Sequence, residues 1–382
     1  MNNKRRSFIP LLIGLGALLI VIAIPVILIL QHTTAQPGPG QQTPTISTTS
    51  SFSSPYGFTV AAAIDADLVT RYKMLNITWV REQLPWNRIE TSPGVYDWSE
   101  LDMQIQLANA NGLHVSFVLQ GAPSWRLRAP CNLPGASDMS AYATEVSQRY
   151  NGNNGHGYID SFEIGNEEFT GFQLAPDKPC YAADNYVPVL KAGYQAVKSN
   201  SPRALVITFG SAWESIQGIR TFYQRMYQLG AKPYFDAANL HYYNHVAATN
   251  TNPALADPRH TDFPTFNQRW QTVHEVMQQN GDGNKGIWIT EIGWPTLPKK
   301  TIPIVDPRTQ ASYLQYVLTQ SMQSRVVSKV FWYTINTANS LYHDKADDIY
   351  PNYPTDSTPM PAFTAYQQFV AQHPTWSGAP SP

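Results

Sequence analysis

The sequence predicts an α/β fold, a (β/α)8 TIM barrel, preceded by an N-terminal transmembrane helix and a disordered linker. Three observations predict it. Eight short apolar runs alternate with longer amphipathic stretches, and that alternation demands parallel strands joined by helical crossovers. No phosphate-binding glycine turn follows the first run, which argues against an open doubly wound sheet. The texture of the chain also holds from residue 56 to residue 372 without an internal linker or repeat, so these residues read as one domain.

The elements follow in order. Lys4, Arg5 and Arg6 precede an uncharged apolar run over residues 8–30. At about 1.5 Å per helical residue, such a run crosses a bilayer core of roughly 30 Å. The basic cluster stays cytoplasmic, which places everything after it outside the cell membrane in a single pass. Residues 1–30 therefore read as stub and anchor; the alternative is a signal peptide whose cleavage leaves a secreted protein. Residues 31–55, rich in Gln, Pro, Gly, Ser and Thr, cannot bury enough apolar surface to fold and read as a tether. Strands are expected at 58–64, 77–81, 114–119, 161–165, 204–209, 237–243, 287–292 and 329–334. Helices are expected at 99–111, 139–150, 186–199, 216–229, 264–279 and 309–323. Residues 373–382 read as a tail.

With 26 basic and 27 acidic side chains the net charge is −1, and no basic face points to a nucleic acid partner. Aromatic residues are high at 12%; many read as core, but they also supply the flat apolar faces with polar tips that sugar-binding clefts need. Cys131 and Cys180 both lie in the exported part, where an oxidising compartment favours a disulfide between them, against two unrelated buried thiols. Asn76-Ile77-Thr78 spells a single glycosylation sequon, and it falls where a strand is expected. Residues 281–286 match G-x-G-x-x-G but follow a helix and precede a strand, the reverse of the dinucleotide arrangement, so they read as a turn. His274-Glu275 lacks the second His of a zinc helix, since Gln278 stands there. No metal and no tightly bound cofactor is required.

In such barrels the chemistry sits at the carboxyl ends of strands. The fourth run reads Ser161-Phe162-Glu163-Ile164-Gly165-Asn166-Glu167-Glu168, and the seventh reads Ile287-Trp288-Ile289-Thr290-Glu291-Ile292-Gly293-Trp294. Each ends in a carboxylate. Two carboxylates about 5–5.5 Å apart, one protonated and one ionised, are what cleavage of a glycosidic bond with retention requires. Strand alternation turns Phe162 and Ile164 to the helices and Glu163, Gly165 and Glu167 to the axis. An inward Glu163 needs a partner, either as a carboxylate tuning Glu167 or holding Arg81, or as a plain buried ion pair.

These residues resemble the clan A retaining glycoside hydrolases. The likeness implies that Glu167 is the acid/base, Glu291 the nucleophile, and Asn166 the partner of the sugar 2-hydroxyl. Trp79-Val80-Arg81, Trp86-Asn87-Arg88-Ile89-Glu90 and Gly94-Val95-Tyr96-Asp97-Trp98 are similar to the strand-two region of family 39. The segment from Glu291 to Thr296 resembles that of family 17. His241 and Tyr243 match residues that flank the nucleophile, and Trp332 matches the platform of strand eight. Gly165 and Glu168 depart from the commonest pattern, which has Trp before the Asn and Pro after the Glu.

Each assignment has a plainer rival. Glu291 can be an ordinary surface acid, Glu167 a helix-start acid, Arg81 a simple ion pair, and His241 and Tyr243 core residues. Trp332, Trp294, Trp125, Trp213 and Trp86 can be core aromatics, and Gln120 can serve a loop bond instead of a sugar contact. Asp344, Asp347 and Asp348 read as a solvated charge cluster. The expected activity is retaining hydrolysis of O-glycosidic bonds, β by resemblance, in poly- or oligosaccharides. The alternatives are a catalytically silent sugar-binding barrel at the cell surface and a transglycosylase that remodels surface polysaccharide.

Overall fold

Apolar runs rich in β-branched and aromatic residues become strands: β1 (Tyr56–Thr59), β2 (Trp79–Glu82), β3 (His114–Leu119), β4 (Ser161–Ile164), β5 (Leu205–Thr208), β6 (Ala238–Tyr242), β7 (Ile287–Ile292) and β8 (Val327–Trp332). The computed structural model describes residues 54–60, 63–169, 180, 182–212, 215–244, 252–296, 304–334, 359–378 and 380. The expected membrane anchor, the linker up to residue 53, Trp213, Asp344, Asp347 and Asp348 lie outside the described residues. Among the described residues no helix is long and apolar enough to cross a membrane.

All eight strands are parallel, in the order β6-β7-β8-β1-β2-β3-β4-β5. A parallel bridge between Ile207 and Ala237 joins the two ends, and the Asp236 amide donates to the Val206 carbonyl at 2.7 Å, so the sheet closes. A helix follows every strand: α1 (Ala66–Met74), α2 (Ser99–Ala110), α3 (Ala136–Arg149), α4 (Ala183–Asn200), α5 (Ile216–Gln228), α6 (Phe266–Gln279), α7 (Pro307–Ser324) and α8 (Pro361–Gln372). Their starts are set by local chemistry. Asp65, Ser215, Thr265 and Asp306 each accept a hydrogen bond from a first-turn amide, and Pro307 opens α7.

Alternation along the strands divides the core in two. Phe162, Ile164 and their equivalents pack against the helices. Trp79, Leu205, Ile207, Ala237, Trp288 and Phe331 form a separate cluster within the barrel. Gly57 is required there, because the Phe331 ring already occupies the space a Cβ would take. Lys329 lies 4.2 Å from the centre of the Trp79 ring and donates to the Ser54 carbonyl at 2.8 Å. Ser54 and Pro55, read from sequence as the end of the tether, are thus already part of the barrel. At the other end of the chain, Trp376 is buried and donates to Tyr56 Oη at 2.9 Å, so part of the expected tail packs on the first strand.

Most element boundaries shift from the sequence expectation, and α1 and α8 are not among the expected helices. β1 begins two residues early and stops at Thr59, since Tyr56 and Gly57 already pair with Val330 and Phe331. Asn76 is exposed in the turn between α1 and β2, with φ of 54°, and not in a strand.

Candidate active site

The carboxyl ends of β2, β4, β6 and β7 bring one buried polar cluster together. Its centre is Arg81, fully buried on β2. The guanidinium donates from Nε to Glu163 Oε2 at 2.7 Å and from Nη2 to Glu163 Oε1 at 3.1 Å. Its other edge reaches Glu291 Oε1 from Nη1 at 2.7 Å and Asn166 Oδ1 from Nη2 at 3.0 Å. A planar guanidinium with five N–H donors can serve these four acceptor oxygens in one fixed plane, which the three donors of a lysine ammonium cannot. Glu163, the awkward inward acid of the sequence, therefore holds Arg81, and it also accepts from the Gly210 amide at 3.0 Å.

Backbone irregularity aims the two outer acids. Gly165 adopts φ of 81°, a left-handed conformation that costs a side chain but not glycine, and the chain turns there into the short helical turn Glu167–Phe169. This explains why glycine replaces the Trp of the commonest pattern. On β7 the register with both neighbouring strands shifts near Glu291, and bulges of this kind re-aim a side chain. One oxygen of Glu167, one of Glu291 and a ring nitrogen of His241 all lie within 4.8 Å of one another. The Glu167 and Glu291 side chains keep 12% and 11% exposure, enough to be reached from the barrel mouth.

The surroundings set the two acids apart. Burial raises the Glu167 pKa above its ordinary value; His241 and Arg81 oppose the rise only in part. Burial also acts on Glu291, but the charges of His241 and Arg81, with hydrogen bonds from Arg81 and Tyr243, more than offset it and hold the carboxyl below the ordinary value. Tyr243 Oη donates to Glu291 Oε2 at 3.3 Å. His241 Nδ1 meets Glu167 Oε1 at 2.8 Å, and its Nε2 meets Thr290 Oγ1 at 3.1 Å. Burial pulls the His241 pKa down, and the two carboxylates beside it push it up further, for a net rise.

Asn239 shares the inward parity of His241 and Tyr243 on the sixth strand, as the sequence indicates, but two contributors, Thr290 and Gly210, were not singled out from sequence. Thr290 supports His241 and donates a hydrogen bond from its hydroxyl to Asn239 Oδ1 at 2.9 Å. Gly210 gives His241 its place, because a Cβ there would occupy the position of the imidazole Nε2. The signal for Thr290 is the one that marks Asn239: both are polar residues of inward parity in otherwise apolar strands. Nothing local marks Gly210.

The remaining expected residues fall around this cluster. Trp332, expected as the strand-eight platform, and Trp294, expected among the substrate-binding residues, are 0% and 2% exposed. Their rings face each other at 5.7 Å, and Trp294 Nε1 donates to the Ala256 carbonyl at 2.7 Å, so here they form apolar wall and offer no open face. Trp86 is structural too, stacked on Tyr142 at 4.3 Å with Nε1 donating to Glu90. Gln120, at the end of β3, reaches the Gln83 carbonyl at 3.4 Å and lines an open cleft. Trp125 is 40% exposed on the next turn. Cys131 and Cys180 form the expected disulfide.

No protein-family model matches this chain, and no curated protein matches it in sequence. Solved structures do share its fold. A family 39 glycoside hydrolase from Bacteroides cellulosilyticus superposes with a TM-score of 0.59 at 21% identity, over 83% of this chain and 64% of that one. The chain thus spans slightly less than two thirds of the length of that hydrolase. An endo-beta-1,4-glucanase from Xanthomonas axonopodis pv. citri gives 0.62 at 13% identity, over 84% of this chain and all of the other. A GH5_18 structure from Bifidobacterium longum subsp. longum, in complex with Manb1-4GlcNAc, gives 0.59 at 12% identity over 86% and 80% of the two chains. The fold is the barrel these glycoside hydrolases share, and the expected likeness to family 39 recurs at that level.

Proposed function

We propose that this chain is a retaining glycoside hydrolase acting on β-linked poly- or oligosaccharides, with Glu167 as acid/base and Glu291 as nucleophile. The observation that carries the reading is the approach of these two carboxyls to within 4.8 Å, with pKa values displaced in opposite directions. Retaining enzymes hold their carboxyls about 5–5.5 Å apart, whereas inverting ones leave about 6.5–9.5 Å for a water. The β-1,4-glucanase and the Manb1-4GlcNAc complex among similar structures favour a β-linked substrate.

In the first step, Glu167 gives its proton to the leaving oxygen while Glu291 attacks the anomeric carbon; the glycosidic bond breaks and a glycosyl ester forms. In the second, Glu167 takes a proton from water, the water oxygen attacks the same carbon, and Glu291 leaves as carboxylate. Two inversions restore the original configuration. Arg81 and Tyr243 keep Glu291 ionised and aimed, and the family resemblance gives Asn166 the role of partner to the sugar 2-hydroxyl.

The test is a panel of β-linked polysaccharides and nitrophenyl glycosides. Glu291→Ala should abolish turnover, and added azide should restore it as a glycosyl azide of inverted configuration. Near-normal turnover in that variant without azide would remove the assignment.

For location, we propose a single-pass anchor over residues 1–30 with the barrel outside the membrane, on the strength of Lys4, Arg5, Arg6 and the apolar run behind them. The Cys131–Cys180 disulfide suits the same oxidising side.

A further inference from the structure

The end of the barrel opposite Glu167 and Glu291 is built from the loops that lead each helix into the next strand. The helices finish there on basic and neutral residues, with no acid in the final turn of any of them. Lys73 closes α1 and Lys198 closes α4. Helix macrodipoles favour bases at such ends, and the loops beyond add Arg203, Lys232, Lys285 and Arg325.

The acids of these loops are buried or half-buried, and each is engaged by a neighbour. Asp160 accepts from the Val115 amide at 2.9 Å and pairs with His114 at 2.7 Å. Asp236 accepts from the Val206 amide at 2.7 Å and pairs with Lys198 at 2.8 Å. Asp282 is buried and pairs with Lys285 at 3.0 Å. Lys73, Arg203, Lys232 and Arg325 remain, and all four are exposed. Lys73 donates to Asn111 Oδ1 at 2.7 Å, and Arg203 lies 5.5 Å from the centre of the Tyr158 ring. Lys232 serves the Asn280 and Gly281 carbonyls at 2.8 and 3.1 Å. Those partners are neutral, so the charges persist. Lys232 keeps 50% of its side chain exposed even with Asp282 at 3.8 Å. The same contacts join one loop to the next, so the fold gathers into one face four bases that no run of sequence marks.

The chain's point of entry indicates the partner. Ser54 lies at this end, with its carbonyl bonded to Lys329 at 2.8 Å. Residues 1–53 join the barrel here, and the anchor proposed above would bring this end, not the mouth, to the membrane. We infer that this basic end docks on an anionic lipid surface and so turns the mouth, with Glu167 and Glu291, away from it. The inference rests on the anchor reading for its choice of partner and does not depend on the hydrolase reading.

Amide exchange of the full chain tests it, in bilayer discs of phosphatidylcholine alone and of phosphatidylcholine mixed with phosphatidylglycerol. At low salt, peptides containing Arg203, Lys232 and Arg325 should exchange several-fold more slowly in the mixed discs, and peptides containing Glu167 and Glu291 should not change. Salt at about 1 M, where screening acts within about 3 Å, should erase the slowing. Arg203→Glu with Arg325→Glu should erase it too, without lowering Tm, since both side chains are exposed. Equal exchange in the two discs, slowing at the mouth, or slowing that survives salt and the double reversal overturns the docking and leaves the anchor standing. Slowing by soluble dextran sulfate with none on the mixed discs assigns the face to an anionic polymer and overturns the lipid. A chain that stays out of neutral discs yet sediments with phosphatidylglycerol vesicles, about fivefold more weakly for each of the four bases changed to Gln, overturns the anchor and leaves the docking standing.

Discussion

His241 Nδ1 lies 2.8 Å from Glu167 Oε1 and 3.7 Å from Glu291 Oε2, so one imidazole stands between the two acids. The far side of the ring fixes its tautomer. The Thr290 hydroxyl donates to Asn239, so toward His241 it acts as acceptor and Nε2 carries a proton. Nδ1 can then receive a proton from neutral Glu167 or donate one to ionised Glu167. Under the proposed mechanism the pair holds one proton between them, and that proton goes to the leaving oxygen.

The first prediction is a bell-shaped pH profile. Activity needs Glu291 ionised and Glu167 protonated, so kcat/KM should rise through a pKa below the ordinary 4.5 and fall through one above it. His241 lowers both pKa values, so His241→Asn should move both limbs to higher pH as well as reduce kcat. Limbs that stay in place would show that the imidazole does not act on these acids.

Arg81 gives a second. Arg81→Met removes the buried cation that Glu163 and Glu291 share, which should cost about 3–5 kcal/mol of stability. It should also raise the acidic limb, since Arg81 is one of the charges that keep Glu291 low. Arg81→Lys keeps the charge but not the fork; the acidic limb should hold while kcat falls. Thermal unfolding and pH–rate profiles separate the two variants.

How far this site could be read in the sequence depends on the kind of signal each residue carries. Glu167 and Glu291 stood out because acids closing apolar strands are expensive unless they end in a site. Inward parity exposed Glu163, and an inward acid needs a cation, which Arg81 supplies. Gly210 and the bulges of β7 were hidden, because the demand for them comes from a side chain on another strand. Trp294 and Trp332 show the converse: an aromatic at a strand end reads alike whether it lines a cleft or a core. The start of β1 was missed because Gly57 weakens the strand pattern, and its need arises only from the Phe331 ring.

A third prediction concerns metals. Glu167, His241 and Glu291 have the makings of a cation site, with ligand atoms within 4.8 Å. Yet Arg81 already sets a positive charge 2.7 Å from one Glu291 oxygen, and a cation bound there would meet repulsion and block the reacting acids. Chelation by EDTA should leave turnover unchanged, and millimolar zinc should at most inhibit. Loss of activity in EDTA with recovery on added metal would reverse this.

Stability carries a fourth. Glu82 is buried, and burial, eased in part by the Leu84 and Gln83 amides, raises its pKa to about 8. Between its ordinary 4.5 and about 8 the folded chain keeps a proton that the unfolded chain releases. Stability should therefore fall as pH rises through that window, by up to about 1.4 kcal/mol per pH unit from this group. Glu82→Gln keeps an acceptor for both amides and should remove that slope. Urea unfolding at pH 5 and pH 8 reads the difference, and a gap between variant and parent that does not change with pH would contradict it.

The central claim is that Glu291 becomes covalently bonded to sugar. Incubation with 2-deoxy-2-fluoro glycosides carrying a good leaving group slows the second step more than the first and should trap the ester. Mass spectrometry of the digested protein should then find one sugar on the peptide containing Glu291. A label on any other residue, or a chain that turns over the parent glycoside yet never takes up label, would contradict it.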